Sequence, residues 1–283
     1  MSRGRPPGVS PGDDPVDARK PRPARIYDYF LGGKDNHAVD REAGDRVQAV
    51  LPEVRTSAVA NRQFLVRSVR YLAERGIDQF IDIGTGLPTT PNVAEVARAV
   101  NPQALTVGVD NDPVVLRHNR ALAAADHGST TVDGDIRNPD RILDNPELRA
   151  LIDLERPVAV LLVALLHFIR DEEDPAGIVA RVMEPLAPGS YMVLASATST
   201  GLSAETLARI EEAYRNATAP AMMRPEEQIR TWFAALRTVY PGIVDIVDWR
   251  PRLQEFLPAP GPLVWPPDLR TGVPIIGGVA RKP

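Results

Sequence analysis

Cysteine is absent from the chain, which excludes disulfides, thiolate metal sites and a cysteine nucleophile. Histidine is scarce as well. The four present, His37, His118, His127 and His167, show no metal-ligand spacing, so no metal is expected. No apolar run is long enough to cross a bilayer, and the Arg- and Pro-rich N-terminus has no apolar signal-peptide core, so the expected setting is cytoplasmic, without a membrane partner. An excess of positive charge is missing too. A net charge of -4 provides no general attraction to nucleic acid, which leaves small-molecule or protein substrates, a small molecule being the first expectation. Internal repeats are lacking, and nothing in the sequence sets an oligomeric state.

What remains is an ordinary globular composition, 43% hydrophobic and 25% charged over 283 residues, enough for one large α/β domain with elaborations. Residues 1–23 hold six prolines and almost no large apolar side chains, the composition of a disordered tail. Residues 24–78 read as an N-terminal helical extension of three helices: Ala24 to Leu31 stopped by Gly32 and Gly33, a second running to Val50 from a cap at Asp35 or Asn36, and a third from Val54 to Arg75 ended by Gly76. From residue 79 to 283 short apolar strands alternate with helices, the signature of a parallel sheet covered on both faces. The spacing predicts strands at 79–83, 105–109, 129–132, 157–163, 190–196, 243–249 and 274–280. Helices are predicted at 91–100, 113–123, 139–150, 175–186, 203–217 and 225–238. A loop with seven prolines from Pro251 to Pro274 precedes the last strand.

The chemistry concentrates where strands end. In an open parallel sheet, ligands bind beyond the carboxyl ends of the strands where strand order reverses. Phe80 to Thr90 reads Phe-Ile-Asp-Ile-Gly-Thr-Gly-Leu-Pro-Thr-Thr, a strand with an acid, Asp82, two residues before a Gly-x-Gly turn. A dinucleotide site needs a third glycine to bring a helix against a pyrophosphate, and Thr89 stands there instead. Asp82 would repel a pyrophosphate and attract the ammonium and sulfonium of S-adenosylmethionine. Gly84 and Gly86, with Thr85 between them, let backbone approach a ligand where a Cβ would intrude. Asp110 lies 24 residues past Gly86, near the spacing at which an acid accepts ribose hydroxyls. Asp112 reads as the cap of the following helix because Pro113 takes its first position. Asp135 and Ile136 provide a carboxylate and an amide for an adenine edge. Ala164 to His167 ends a continuous apolar run where a methionine moiety would lie.

These residues carry a resemblance. The chain resembles class I S-adenosylmethionine-dependent methyltransferases, and more narrowly an actinobacterial S-adenosyl methyltransferase family long labelled a domain of unknown function. The matching segments are 25–36 (Arg-Ile-Tyr-Asp-Tyr-Phe-Leu-Gly-Gly-Lys-Asp-Asn), 60–65, 80–89, 109–116, 158–168 and 188–194. The resemblance implies a Rossmann-like sheet of seven strands with the last antiparallel, helices on both faces, S-adenosylmethionine as cofactor, and cofactor contacts by Asp82, Gly84, Gly86, Asp110, Asn111, Asp135 and Ile136. It implies no substrate.

Within the family-specific N-terminal segment, Tyr27, Tyr29, Gly32, Gly33, Asn36 and His37 form a polar and aromatic cluster. It either folds over the cofactor as a lid, which makes Tyr29, Gly33 and Asn36 candidate contacts, or merely caps helices with Tyr27 and Tyr29 packed on the sheet. Asn61 is a candidate for the methionine end, whereas Arg62 reads as a solvated surface residue. Methyl transfer needs alignment and exclusion of water more than strong catalytic groups. His167 is the best-placed titratable group to take a proton from the acceptor, with a structural role as the competing reading. Tyr191, Tyr214, Trp249 and Trp265 are candidates to shape an acceptor pocket. Two other functions share the fold: a non-catalytic S-adenosylmethionine-binding module and an NAD-dependent oxidoreductase.

Overall fold

The computed structural model describes residues 19–123, 126–251 and 274–283. Helices α1 (Pro23–Phe30), α2 (Ala38–Val50) and α3 (Val54–Ala73) precede β1 (Gln79–Ile83). There follow α4 (Val93–Val100), β2 (Leu105–Asp110), α5 (Pro113–Ala123), β3 (Ser129–Asp133), α6 (Pro139–Leu143), α7 (Pro146–Leu151) and β4 (Ala159–Val163). The second half comprises α8 (Pro175–Met183), β5 (Tyr191–Ala197), α9 (Ala204–Tyr214), α10 (Glu226–Thr231), β6 (Arg237–Thr238), β7 (Val244–Asp245) and β8 (Ile275–Arg281).

The sheet runs β3-β2-β1-β4-β5-β8, with β1 to β5 mutually parallel and β8 antiparallel. Both β6 and β7 pair with β8. Gly277 and Ile276 of β8 already face Ala195 and Ser196 of β5, so β7 lies on the outer edge of β8, in line with β6. The expected seven strands become eight because the edge position is filled by two short pieces. Strand order reverses between β1 and β4, and that crevice is where a ligand site is expected.

Alternation along β1 sends Ile81 and Ile83 into one core with Val160, Leu162 and Leu194 beneath α6, α7 and α8, while Phe80 joins Leu161, Val193 and α3 on the other face. Asp82 shares the Phe80 face and so points toward α3. A third apolar cluster joins α1, α2 and the start of α3 to α9. Among the described residues no helix is long and apolar enough to cross a membrane.

Four differences from expectation have local causes. The tail was expected through residue 23, but its last residues are packed: Pro21 is buried and its carbonyl accepts from Thr218 N, while residues 1–18 lie outside the described residues. The helix expected at 139–150 breaks at Asp144, and Asn145 caps a new one with Pro146 at its first position. The strand expected at 243–249 keeps only Val244–Asp245, because buried Arg67 of α3 takes the carbonyls of Ile246 (2.6 Å) and Trp249 (2.9 Å). The last helix ends at Thr231, and Arg237–Thr238 pairs as a strand. The Pro-rich loop and Trp265 lie outside the described residues.

Candidate active site

The turn after β1 is built for close approach. Gly84 has φ +75° and donates to the Val109 carbonyl at 2.8 Å, and a Cβ there would come within 2.8 Å of the Leu165 side chain. Gly86 has φ +68°, and its missing Cβ faces open space. Its amide donates to Asp110 Oδ2 at 2.9 Å and its carbonyl accepts from Asn119 Nδ2 at 2.8 Å. The other oxygen of Asp110 accepts from Asp112 N at 2.9 Å. Burial pushes the Asp110 carboxyl up to about 6, with these amides opposing the rise. Burial also raises Asp82, against a hydrogen bond from Thr85 and the charge of Arg62.

Arg62 is not a solvated surface side chain. Its Nη2 donates to the carbonyls of Thr89 (2.8 Å) and Pro91 (2.5 Å), pinning the β1–α4 loop to α3, and burial lowers its pKa. Asn61 Nδ2 donates to the Tyr27 hydroxyl (2.9 Å), which donates to the Ala58 carbonyl (2.9 Å). After β3, Asp135 accepts from Asn111 Nδ2 (3.1 Å), Arg137 N (3.0 Å) and Arg137 Nη1 (3.0 and 3.1 Å), so its lone pairs are engaged internally. Arg137 is held in turn by Glu173 at 2.6 Å.

After β4, Ala164 adopts φ +56°, a conformation that costs a non-glycine residue about 1–3 kcal/mol and clusters at ligand sites. It opens a 3-10 turn, Leu166–Phe168, that carries His167. Arg224, buried, locks this turn by donating to the carbonyls of Leu166 (3.2 Å) and Ile169 (2.6 Å) and to Asp171 Oδ1 (2.8 Å). Burial, with Arg224 nearby, brings the His167 pKa down to about 4. Its Nδ1 accepts from Ala197 N at 3.4 Å, which leaves the ring proton on Nε2. A neutral imidazole in this tautomer donates a hydrogen bond and is poorly suited to take a proton. The geometry therefore disfavours the general-base reading of His167.

Most of the candidate residues converge on one cavity of about 480 Å³. Asp82, Gly84, Thr85, Gly86, Asp110, Asn111, Asp135, Ile136, Asn61, Ala164 and His167 line it. Three expected contacts do not. Tyr29 turns outward, its hydroxyl on Asp45 Oδ1 (2.5 Å) and its ring under Arg55 (4.3 Å). Gly33 and Asn36 instead pack behind Asp28: Asn36 Nδ2 donates to Asp28 Oδ2 at 2.7 Å, and a Cβ on Gly33 would fall 1.9 Å from Asp28 Oδ1. Tyr27 and Asp28 face the cavity in their place. The sequence signal for Asp28 was an acid between two tyrosines, four residues before Gly-Gly. Tyr214 lines the cavity, but Tyr191 and Trp249 do not. Trp249 is fully buried, edge-on to Phe64 and Tyr71 at 5.4 and 5.5 Å.

A crevice at the reversal of a β3-β2-β1-β4-β5 sheet, with an acid-bearing glycine turn and a second acid after β2, defines the class I methyltransferase type. The S-adenosyl methyltransferase family model matches residues 10–283, and the chain belongs to that family. It is similar to a DUF574-family protein from Streptomyces avermitilis at 39% identity, with 95% of this chain and 100% of that one covered and a TM-score of 0.83. It is equally similar to a candidate methyltransferase from Thermobifida fusca, at 39% identity over 96% and 99% of the two chains, again with a TM-score of 0.83. No functionally curated protein is significantly similar to it. The chain is an S-adenosylmethionine-dependent methyltransferase by family.

Proposed function

We propose that this methyltransferase acts in the cytoplasm on a small-molecule acceptor. The observation that carries the reading is the continuity of this cavity, which runs from the acidic glycine turn to an apolar wall beneath α1, α2 and α9. A cavity of about 480 Å³ that must hold both cofactor and acceptor suits a small molecule, since pockets of about 300–1,000 Å³ take drug-sized ligands.

The residues present fit the cofactor. The space beside Gly86, which a Cβ would fill, admits a nucleoside against backbone. Asp110 would accept from the ribose, Asp82 and Asn61 would hold the methionine end, and Ile136 would meet the adenine. Asp135, already engaged, would position Asn111 and Arg137. Bound S-adenosylmethionine supplies an electrophilic methyl group on a sulfonium. The chain itself orients the acceptor against the turn after β4, keeps His167 neutral as a donor, and excludes water with the N-terminal helices. Carboxylates around the glycine turn would repel the pyrophosphate of NAD.

Titration calorimetry tests the site: S-adenosylhomocysteine should bind the wild type, and Gly86→Val should abolish binding in a folded protein. NAD binding with no S-adenosylhomocysteine binding would reject the reading. For the acceptor, labelled methyl groups should enter the ultrafiltered small-molecule fraction of a bacterial extract. Label confined to protein or nucleic acid would overturn that part.

A further inference from the structure

Beyond β4 the cavity enters the apolar cluster shared by α1, α2, α3 and α9, where Phe30, Val47, Leu51, Val54, Ile210 and Met223 line it. None of these is charged. The charged lining residues outside the glycine turn are engaged with protein partners: Arg22 with Asp112 (3.6 Å), Arg62 with the β1–α4 loop, Arg137 with Asp135 and Glu173, and Asp28 with Asp35 N (3.1 Å) and Asn36 in the α1–α2 connection. Two neutral polar groups border the apolar half. One is the protonated Nε2 of His167. The other is the hydroxyl of Tyr214, which is 8% exposed and stays protonated because burial alone raises its pKa. The rings of Phe168 and Tyr214 lie 5.7 Å apart, an aromatic wall beside these groups.

We propose that this half of the cavity binds a neutral, largely apolar ring compound bearing a hydroxyl or a similar hydrogen-bonding group, met by Tyr214 and His167; the inference rests on the cavity being the methyltransferase site. Apolar walls gain by burying ring surface. A charged ligand would lose hydration there without a counter-ion.

Two fluorescent probes that share one ring system separate these cases. N-phenylnaphthylamine is neutral, and anilinonaphthalene sulfonate adds one anionic group. The neutral probe should bind saturably, one per chain, and at least about tenfold tighter than the sulfonate. Val54→Glu and Met223→Glu alter half-buried positions, so the fold should survive. Each should weaken the neutral probe by about tenfold or more while the S-adenosylhomocysteine isotherm stays unchanged. Equal or tighter binding of the sulfonate, no binding of the neutral probe, or binding indifferent to both variants would overturn the proposal. If the neutral probe binds as described but S-adenosylhomocysteine does not, the cofactor reading falls; if S-adenosylhomocysteine binds and the probe does not, this inference falls alone.

Discussion

Asp110 holds Gly86 N and Asp112 N with its two oxygens and still borders the cavity, so its protonation state would couple turn geometry to the proposed ligand contact. Its folded pKa of about 6 lies above its ordinary value of 3.8. The ionised form is therefore the one the fold disfavours. Without ligand, the protein gains stability from this group as pH falls from about 6 toward 3.8, by about 3 kcal/mol at most. If ribose hydroxyls donate to the carboxylate as proposed, ligand binding should show the opposite slope. S-adenosylhomocysteine affinity measured by calorimetry should be flat above about pH 7 and fall below about pH 6, approaching tenfold per unit. His167 supplies a second pH signature. With a folded pKa near 4, its imidazole signals in an NMR titration should not move until the pH is well below 6, whereas a ring titrating near 6.5 would restore it as a base. Asp82, Gly84 and Gly86 were legible in the sequence as cavity-lining residues because an acid and two glycines share one strand-turn unit, and Asp110 because it ends the next apolar strand. Arg62 and Arg224 were not, since an arginine looks solvated until the carbonyls it reaches, 27 or more residues away, are known.

Among the elements, the α1–α2 connection is seated on one carboxylate. The Asp28 carboxylate accepts from Asp35 N and Asn36 Nδ2 and fills the space where Gly33 has no side chain. Gly33→Ala should force Asp28 out of this seat and cost about 1–3 kcal/mol, read in urea unfolding, with S-adenosylhomocysteine affinity falling as well. A variant of wild-type stability and affinity would show that the loop has no fixed seat. Helix existence in this region was legible from periodicity and from Gly32–Gly33, yet the face of α1 turned to the cavity was not. Tyr27, Asp28 and Tyr29 are adjacent in sequence, and only the position of α2, with Asp45 waiting for Tyr29, decides which of them points outward. The same logic explains β7. Its apolar pattern ran to Trp249, but Arg67 on α3, about 180 residues earlier, captured the carbonyls a longer strand would have paired. Strands β1 to β5 and helix α5 lay close to their expected bounds because buried apolar runs and proline caps act within the element itself.

Across the whole molecule, a buried charge cluster ties α1 and α2 to the turn that follows β2. Arg25 is fully buried on α1, 3.7 Å from Asp40 of α2 and 3.8 Å from Asp112 at the start of α5. Its guanidinium nitrogens make no hydrogen bond among the described residues, and Asp112 N is bonded to Asp110. An arginine held by long ion pairs alone is a weak clasp, and tightening it would draw α1 against the turn that follows β2. The proposed ligand contact with Asp110 would fix one end of this chain of contacts. Hydrogen exchange should therefore slow on addition of saturating S-adenosylhomocysteine in two separate segments, residues 82–86 and residues 23–31, while β5 and β8, already at the protected end, stay unchanged. Arg25→Met should keep the slowing at 82–86 and lose most of it at 23–31, because the apolar replacement fills the space without the charge that reaches Asp112. Slowing confined to 82–86 in the wild type would mean that the helices roof the cavity without responding to what it holds.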